Sequence, residues 1–129
     1  MTATQQNIGV DADGSLDYEE KYFSGDSAIL RVTVEDDEGN PDPIGSPNSI
    51  LYVCAERRGG SPVFTKTYSS GEITITDPAN GILDIEILGS ETEPLSGYYY
   101  HECEMVDSSD NRTTLFEGEW YIWPDSAQA

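Results

Sequence analysis

The stretch GILDIEIL, from Gly81 to Leu88, sets Ile82, Asp84, Glu86 and Leu88 on one parity and Leu83, Ile85 and Ile87 on the other. A period of two puts alternate side chains on opposite faces of a strand, whereas a helix would scatter the apolar positions around its axis. The pattern recurs along the chain. AILRVTVE alternates through Val32 and Val34 against Arg31, Thr33 and Glu35, and runs into DDEGNPDP, where Gly39 and Asn40 suit positive φ and Pro41 and Pro43 stop a ladder. SILYVCAER, VFTKTY, EITIT, YYYHECEMV and RTTLFEGEWYIW complete the set, separated by the turn signals RRGGSP, SSG, DPANG and DSSDN. With DYEEKYF as the first strand, this predicts an all-β antiparallel sandwich of about eight strands and no helix of consequence. Val32, Val34, Ile85, Ile87, Trp120 and Ile122 are its expected core. Residues 1–16 read as an extended arm, 17–125 as the sandwich and 126–129 as a tail.

Charge limits what such a sandwich can bind. The 129 residues carry 25 Asp and Glu against 6 Lys and Arg, a net charge of −19. The acids are dispersed through almost every segment, which suits the outer face of a folded domain better than a disordered acidic tail. Nucleic acid is excluded as a partner, because a phosphate backbone is bound by clustered Lys and Arg. An anionic membrane surface is excluded on the same ground, and no apolar run approaches the roughly 20 residues that span a bilayer. Self-repulsion on this scale weakens the compact state at ordinary salt. At molar salt the Debye length is about 3 Å and the penalty largely disappears, so the surface fits a halophilic cytoplasm or brine. MTATQQNIGV has neither a basic n-region nor an apolar h-region, so the expected site of synthesis is a cytoplasm without a secretion signal, with the chain a complete gene product.

Candidate chemistry is sparse. In VDADGSLDYEEKYF, setting Gly14 at position 6 of a calcium loop puts Asp11, Asp13 and Glu20 at positions 3, 5 and 12. Position 1 is then Gly9, which has no ligand, and no helices flank the loop. The stretch reads instead as an arm feeding the first strand. His101 is the sole histidine; it shares parity with Tyr99, Cys103 and Met105 and reads as a satisfied core residue. No HExxH, CxxC or GxSxG motif and no phosphate-binding glycine loop occurs. The sequence therefore predicts no enzyme, no catalytic residue, no cofactor and no metal. Cys54 and Cys103 are too few for a disulfide framework and are expected as free, partly buried thiols, although strand parity does not settle whether they face each other. Arg57 and Arg58 form a basic hairpin tip whose arginines pair locally, and Asn111-Arg112-Thr113 is a sequon in a turn rich in Asn and Asp.

The aromatic residues carry more information. On the closing strand Phe116, Gly118, Trp120 and Ile122 share the core parity, which turns Tyr121 and Trp123 outward beside Tyr98 and Tyr100 of the preceding strand. Tyr98, Tyr100, Tyr121 and Trp123 are thus the candidate partner interface, since exposed aromatic clusters mark docking surfaces. The competing expectation is that the N-terminal arm covers these rings.

FSGDSAILRVTVEDDEGNP resembles the opening of small immunoglobulin-like domains in the structural proteins of tailed viruses. The type is similar to the N-terminal domain of siphophage upper baseplate proteins. ITDPANGILDIEI resembles the family's D-P-x-x-G turn and strand, SGYYYHECEM its G-x-Y strand and TLFEGEWYIWPD its closing T-L-x-x-G strand, in the family's order from Phe23 to Asp125. The resemblance implies an immunoglobulin-like antiparallel β-sandwich and a non-enzymatic virion structural or adaptor protein. Such a protein docks to other virion proteins in many copies within a symmetric assembly: capsid decoration or turret, neck, tail or baseplate. The acidity fits a virus of haloarchaea. The alternative is an adhesion or carbohydrate-binding sandwich module on the surface of a halophile or secreted by it.

Overall fold

The computed structural model describes residues 6–10 and 21–124. Nine strands appear among the described residues, in chain order: β1 (Gln6–Val10), β2 (Tyr22–Phe23), β3 (Ala28–Thr33), β4 (Ser49–Ala55), β5 (Pro62–Thr67), β6 (Ile73–Asp77), β7 (Ile82–Ile87), β8 (Gly97–Val106) and β9 (Arg112–Trp123). One turn of α-helix, α1 (Gly89–Thr92), falls within GSETEPLSG, and a 3-10 turn spans Pro78–Asn80 in DPANG, among the described residues. Among the described residues no helix is long and apolar enough to cross a membrane.

The strands form two sheets, one of four strands in the order β1-β3-β7-β6 and one of five in the order β2-β9-β8-β4-β5. The arrangement is sandwich-like and mixed rather than wholly antiparallel, because β1 runs parallel to β3 and β2 parallel to β9. The alternating residues dictate what lies between the sheets. Leu30 and Val32 of β3, Leu83, Ile85 and Ile87 of β7, Ile50 and Tyr52 of β4, and Phe116, Trp120 and Ile122 of β9 are all buried in one cluster. Each large apolar side chain there contributes about 1.5–3 kcal/mol by leaving water. Of the expected core, Val34 alone is partly exposed, packing against the cluster's edge.

The arm differs from expectation. Its residues 6–10 are extended but belong to a sheet: Ile8 pairs with Leu30 and Val10 with Val32, and both apolar side chains are buried. Of DYEEKYF, only Tyr22 and Phe23 form strand among the described residues. The rest of the proposed arm, Asp11, Asp13 and Glu20 with it, lies outside the described residues, as does the tail.

Turns follow their residue chemistry. The β8–β9 hairpin is held by the Asp107 carboxylate, which accepts the N–H groups of Ser109 (2.8 Å) and Asn111 (2.9 Å). Those bonds hold its carboxyl below the usual range. Before β7, Gly81 sits at φ 68°, and a Cβ there would lie 2.4 Å from the Asp42 carbonyl oxygen, so only glycine fits this close crossing.

Candidate docking face

The expected interface lies on the outer face of the five-stranded sheet, where β2, β9 and β8 run side by side. β2 pairs Tyr22 with Ile122, both turned inward, and Phe23 with Trp123, both turned outward. Tyr98 lies opposite Tyr121 on β8 and β9. The ring centroids of Tyr98 and Tyr121 are 4.7 Å apart, and those of Tyr121 and Trp123 are 4.8 Å apart, both edge to face. Three rings therefore form a continuous row, in the arrangement that aromatic quadrupoles prefer, and Phe23 extends it by one strand. Tyr98 is 69% exposed, Trp123 39% and Phe23 38%. Phe23 was missed by sequence reasoning, because its outward direction follows only from pairing with a strand one hundred residues away.

Tyr100 departs from the expected row. It has the outward parity, yet it is only 7% exposed. The Arg58 guanidinium lies over its ring at 4.6 Å, and its hydroxyl donates to Glu117 at 2.8 Å. Burial, the Glu117 bond and the nearby carboxylates push the phenol up to about 12. Arg58 also pairs with Glu117, whose carboxyl is held low chiefly by that contact. The basic hairpin tip thus folds one arginine onto the sheet and covers a tyrosine.

The described part of the arm does not cover the rings, because Gln6–Val10 lies in the other sheet. Lys21 does approach them, its ammonium standing 4.6 Å from the Trp123 ring centroid. On the far side of Tyr98, Arg57 lines a pocket of about 300 Å³ shared with Tyr98, Tyr99, Tyr100 and Glu119.

Inside the sandwich the titratable groups serve packing. His101 is fully buried on the core face, with Nδ1 2.9 Å from the Tyr52 hydroxyl and its ring stacked on Trp120 at 5.1 Å. Cys54 and Cys103 are free and buried more completely than expected, and burial pushes both thiols up to about 12. At one end, α1 ties the two sheets together. The Thr92 hydroxyl lies 2.6 Å from the Tyr22 hydroxyl and accepts the Gly25 N–H at 3.0 Å. Glu91 accepts the Leu88 N–H at 2.8 Å and the ammonium of Lys66 at 2.5 Å. Lys66 is fully buried, with Glu72 as second partner at 3.5 Å. Among the described residues no group of His, Cys, Asp and Glu is placed to hold a metal ion. No protein-family model and no curated protein matches the chain.

Proposed function

We propose that this chain is a non-enzymatic structural or adaptor protein of a tailed-virus particle, which docks to neighbouring virion proteins through the Tyr98–Tyr121–Trp123 row extended by Phe23. The observation that carries the reading is the exposure of this row on a protein of net charge −19. Stacked rings on an otherwise carboxylate-rich surface have an energetic rationale if another surface removes them from water. Between two acidic surfaces, rim charges repel, so affinity has to come from a desolvated aromatic centre.

The finer fold reading, an immunoglobulin-like sandwich, is supported by strand order. β3-β7-β6 against β9-β8-β4-β5 follows the order B-E-D against G-F-C-C′ of variable-type domains. The parallel β1 departs from that plan. The motif resemblance from Phe23 to Asp125 supports the same reading.

Trp123→Ala tests the function. It is expected to cost about 2 kcal/mol or more of docking free energy, with the isolated domain still folded and its melting temperature near that of the native chain. Particles carrying a normal copy number of the variant would refute the docking face. A sugar-binding module is the second reading, favoured by the aromatic and charged lining of the pocket between Arg57 and Tyr98. Retention of the protein on a polysaccharide column, abolished by Tyr98→Ala, would select it.

A further inference from the structure

The chain's six basic residues are not distributed as chance would have it. Four are paired within the chain: Arg31 with Asp84, Arg58 with Glu117, Lys66 with Glu91 and Glu72, and Arg112 with Glu104. With 25 acids available, a cation without a carboxylate is the exception. Among the described residues two such cations remain, Lys21 and Arg57, and both border the aromatic row. Lys21 stands over Trp123 at one end, and Arg57 shares a pocket with Tyr98 at the other. The face is therefore an apolar centre with a cation free of ion pairs at either end, Glu56 and Glu119 sharing the Arg57 pocket, and its complement is an apolar seat bordered by carboxylates.

The same molecule carries that complement. A cleft of about 900 Å³ has Val10, Val34 and Leu115 on its lining together with Glu35, Asp36 and Asp37. Val34, noted above as the partly exposed member of the expected core, borders it. The two surfaces lie at opposite ends of β9: Thr114 and Leu115 line the cleft and Trp123 closes the strand. Nine residues at the rise of a strand separate them by about 30 Å. Docked head to tail, a surface and its complement at opposite ends make a heterologous contact that repeats to give a ring or a filament; docked antiparallel, the same two contacts close a two-fold dimer.

We propose that the aromatic face of one copy docks into the acidic cleft of the next, with Lys21 and Arg57 meeting Glu35, Asp36 and Asp37 around the buried rings. The proposal rests on the docking reading of the same face and names a second copy of this chain as its partner. Molar salt suppresses the repulsion between two molecules of charge −19, so association is expected there and weakens on dilution into low salt.

The test uses sedimentation of the purified full chain in molar potassium chloride, over a range of concentrations. The native protein should self-associate, into species larger than a dimer where the contact is head to tail and into a dimer where it is antiparallel. A face variant, Trp123→Ala, and a cleft variant, Asp36→Lys with Asp37→Lys, should each weaken self-association about thirtyfold, the hot-spot scale. Near-ultraviolet circular dichroism and melting confirm that each is folded. Mixed together, the two variants should form a one-to-one heterodimer and nothing larger, because each retains the surface the other has lost. If the double lysine variant does not fold, Glu35→Gln with Asp37→Asn serves the same purpose with a smaller loss. A monomeric native protein, association that survives loss of the cleft charges, or variants that fail to pair would each overturn the proposal. If the native chain is monomeric while Trp123→Ala is still excluded from particles, the docking reading stands and the second copy is the wrong partner. Normal incorporation of Trp123→Ala removes the docking reading itself.

Discussion

Glu91→Gln isolates Lys66, the one fully buried lysine or arginine among the described residues. The Lys66 side chain has no exposed surface, and Glu91 is its nearer carboxylate at 2.5 Å, against 3.5 Å for Glu72. Removing one partner of a buried pair costs about 3–5 kcal/mol, because the remaining charge stays desolvated. Two features pull the value toward the lower end. Glu72 still faces the ammonium, and the Glu91 side chain is itself 22% exposed. Glutamine keeps an oxygen for the Leu88 N–H, so the change is one of charge. We expect a loss of about 2–3 kcal/mol, which for a domain of this size lowers the melting temperature by about 10 °C. The reverse change, Lys66→Met, should cost less, since a partly exposed glutamate can turn to water and a buried lysine cannot. The double variant Lys66→Met with Glu91→Gln should return to within about 1 kcal/mol of the native chain. Melts belong in molar potassium chloride, because at low salt the loss of a carboxylate from so acidic a chain relieves repulsion and masks the effect. A Glu91→Gln midpoint within about 2 °C of native under those conditions, or no coupling in the cycle, would refute the reasoning.

Three further outcomes follow from the charge, the carboxylates and the thiols. Stability should rise strongly from low to molar potassium chloride, and equal melting midpoints would remove the self-repulsion argument. Burial raises the Asp84 carboxyl, but the hydrogen bonds from Arg31 and Thr76 outweigh it and hold the group below its usual range. A lowered folded-state value means stability that is present at neutral pH and lost as pH falls through that value. Asp84→Asn should therefore cost about 1 kcal/mol at neutral pH, with the difference from native shrinking in melts below about pH 4; a constant difference would contradict it. Cys54 and Cys103, buried and pushed up to about 12, should resist alkylation at mildly alkaline pH until the protein is denatured. Labelling of the native protein at the rate of a free thiol would show that the core opens.

Strand alternation made most of the sheets legible, because a core face and a solvent face impose different residue types at every second position. β7 and β9 are the clearest instances. β1 was not legible: Ile8 and Val10 are only two apolar positions beside a glycine, and their burial depends on β3, about twenty residues on. Lys66 shares parity with Phe64 and Tyr68, which was the available signal that it points inward. Alternation could not show what a lysine there meets, because its carboxylates come from α1 and the β5–β6 turn. For the docking face, parity placed Tyr98, Tyr121 and Trp123 outward. It also placed Tyr100 outward, and only the return of the Arg57–Arg58 hairpin over the sheet removes that ring from water.

The pairing of β2 with β9 has a consequence for how the chain is made. β9 is the last of the nine strands to leave a ribosome, yet it lies inside its sheet, between β2 and β8. Until it emerges, Tyr22 lacks Trp120, its ring neighbour at 5.1 Å, and β8 has a bare edge along ten residues. A contact that spans one hundred residues is slow to form and leaves unpaired backbone exposed while it waits. A product that stops before β9 would hold an open sheet with an unprotected hydrophobic interior, a substrate for chaperones and proteases and a seed for aggregation. Trp123 ends β9, so a copy that presents the full aromatic row has already threaded that strand into place between β2 and β8.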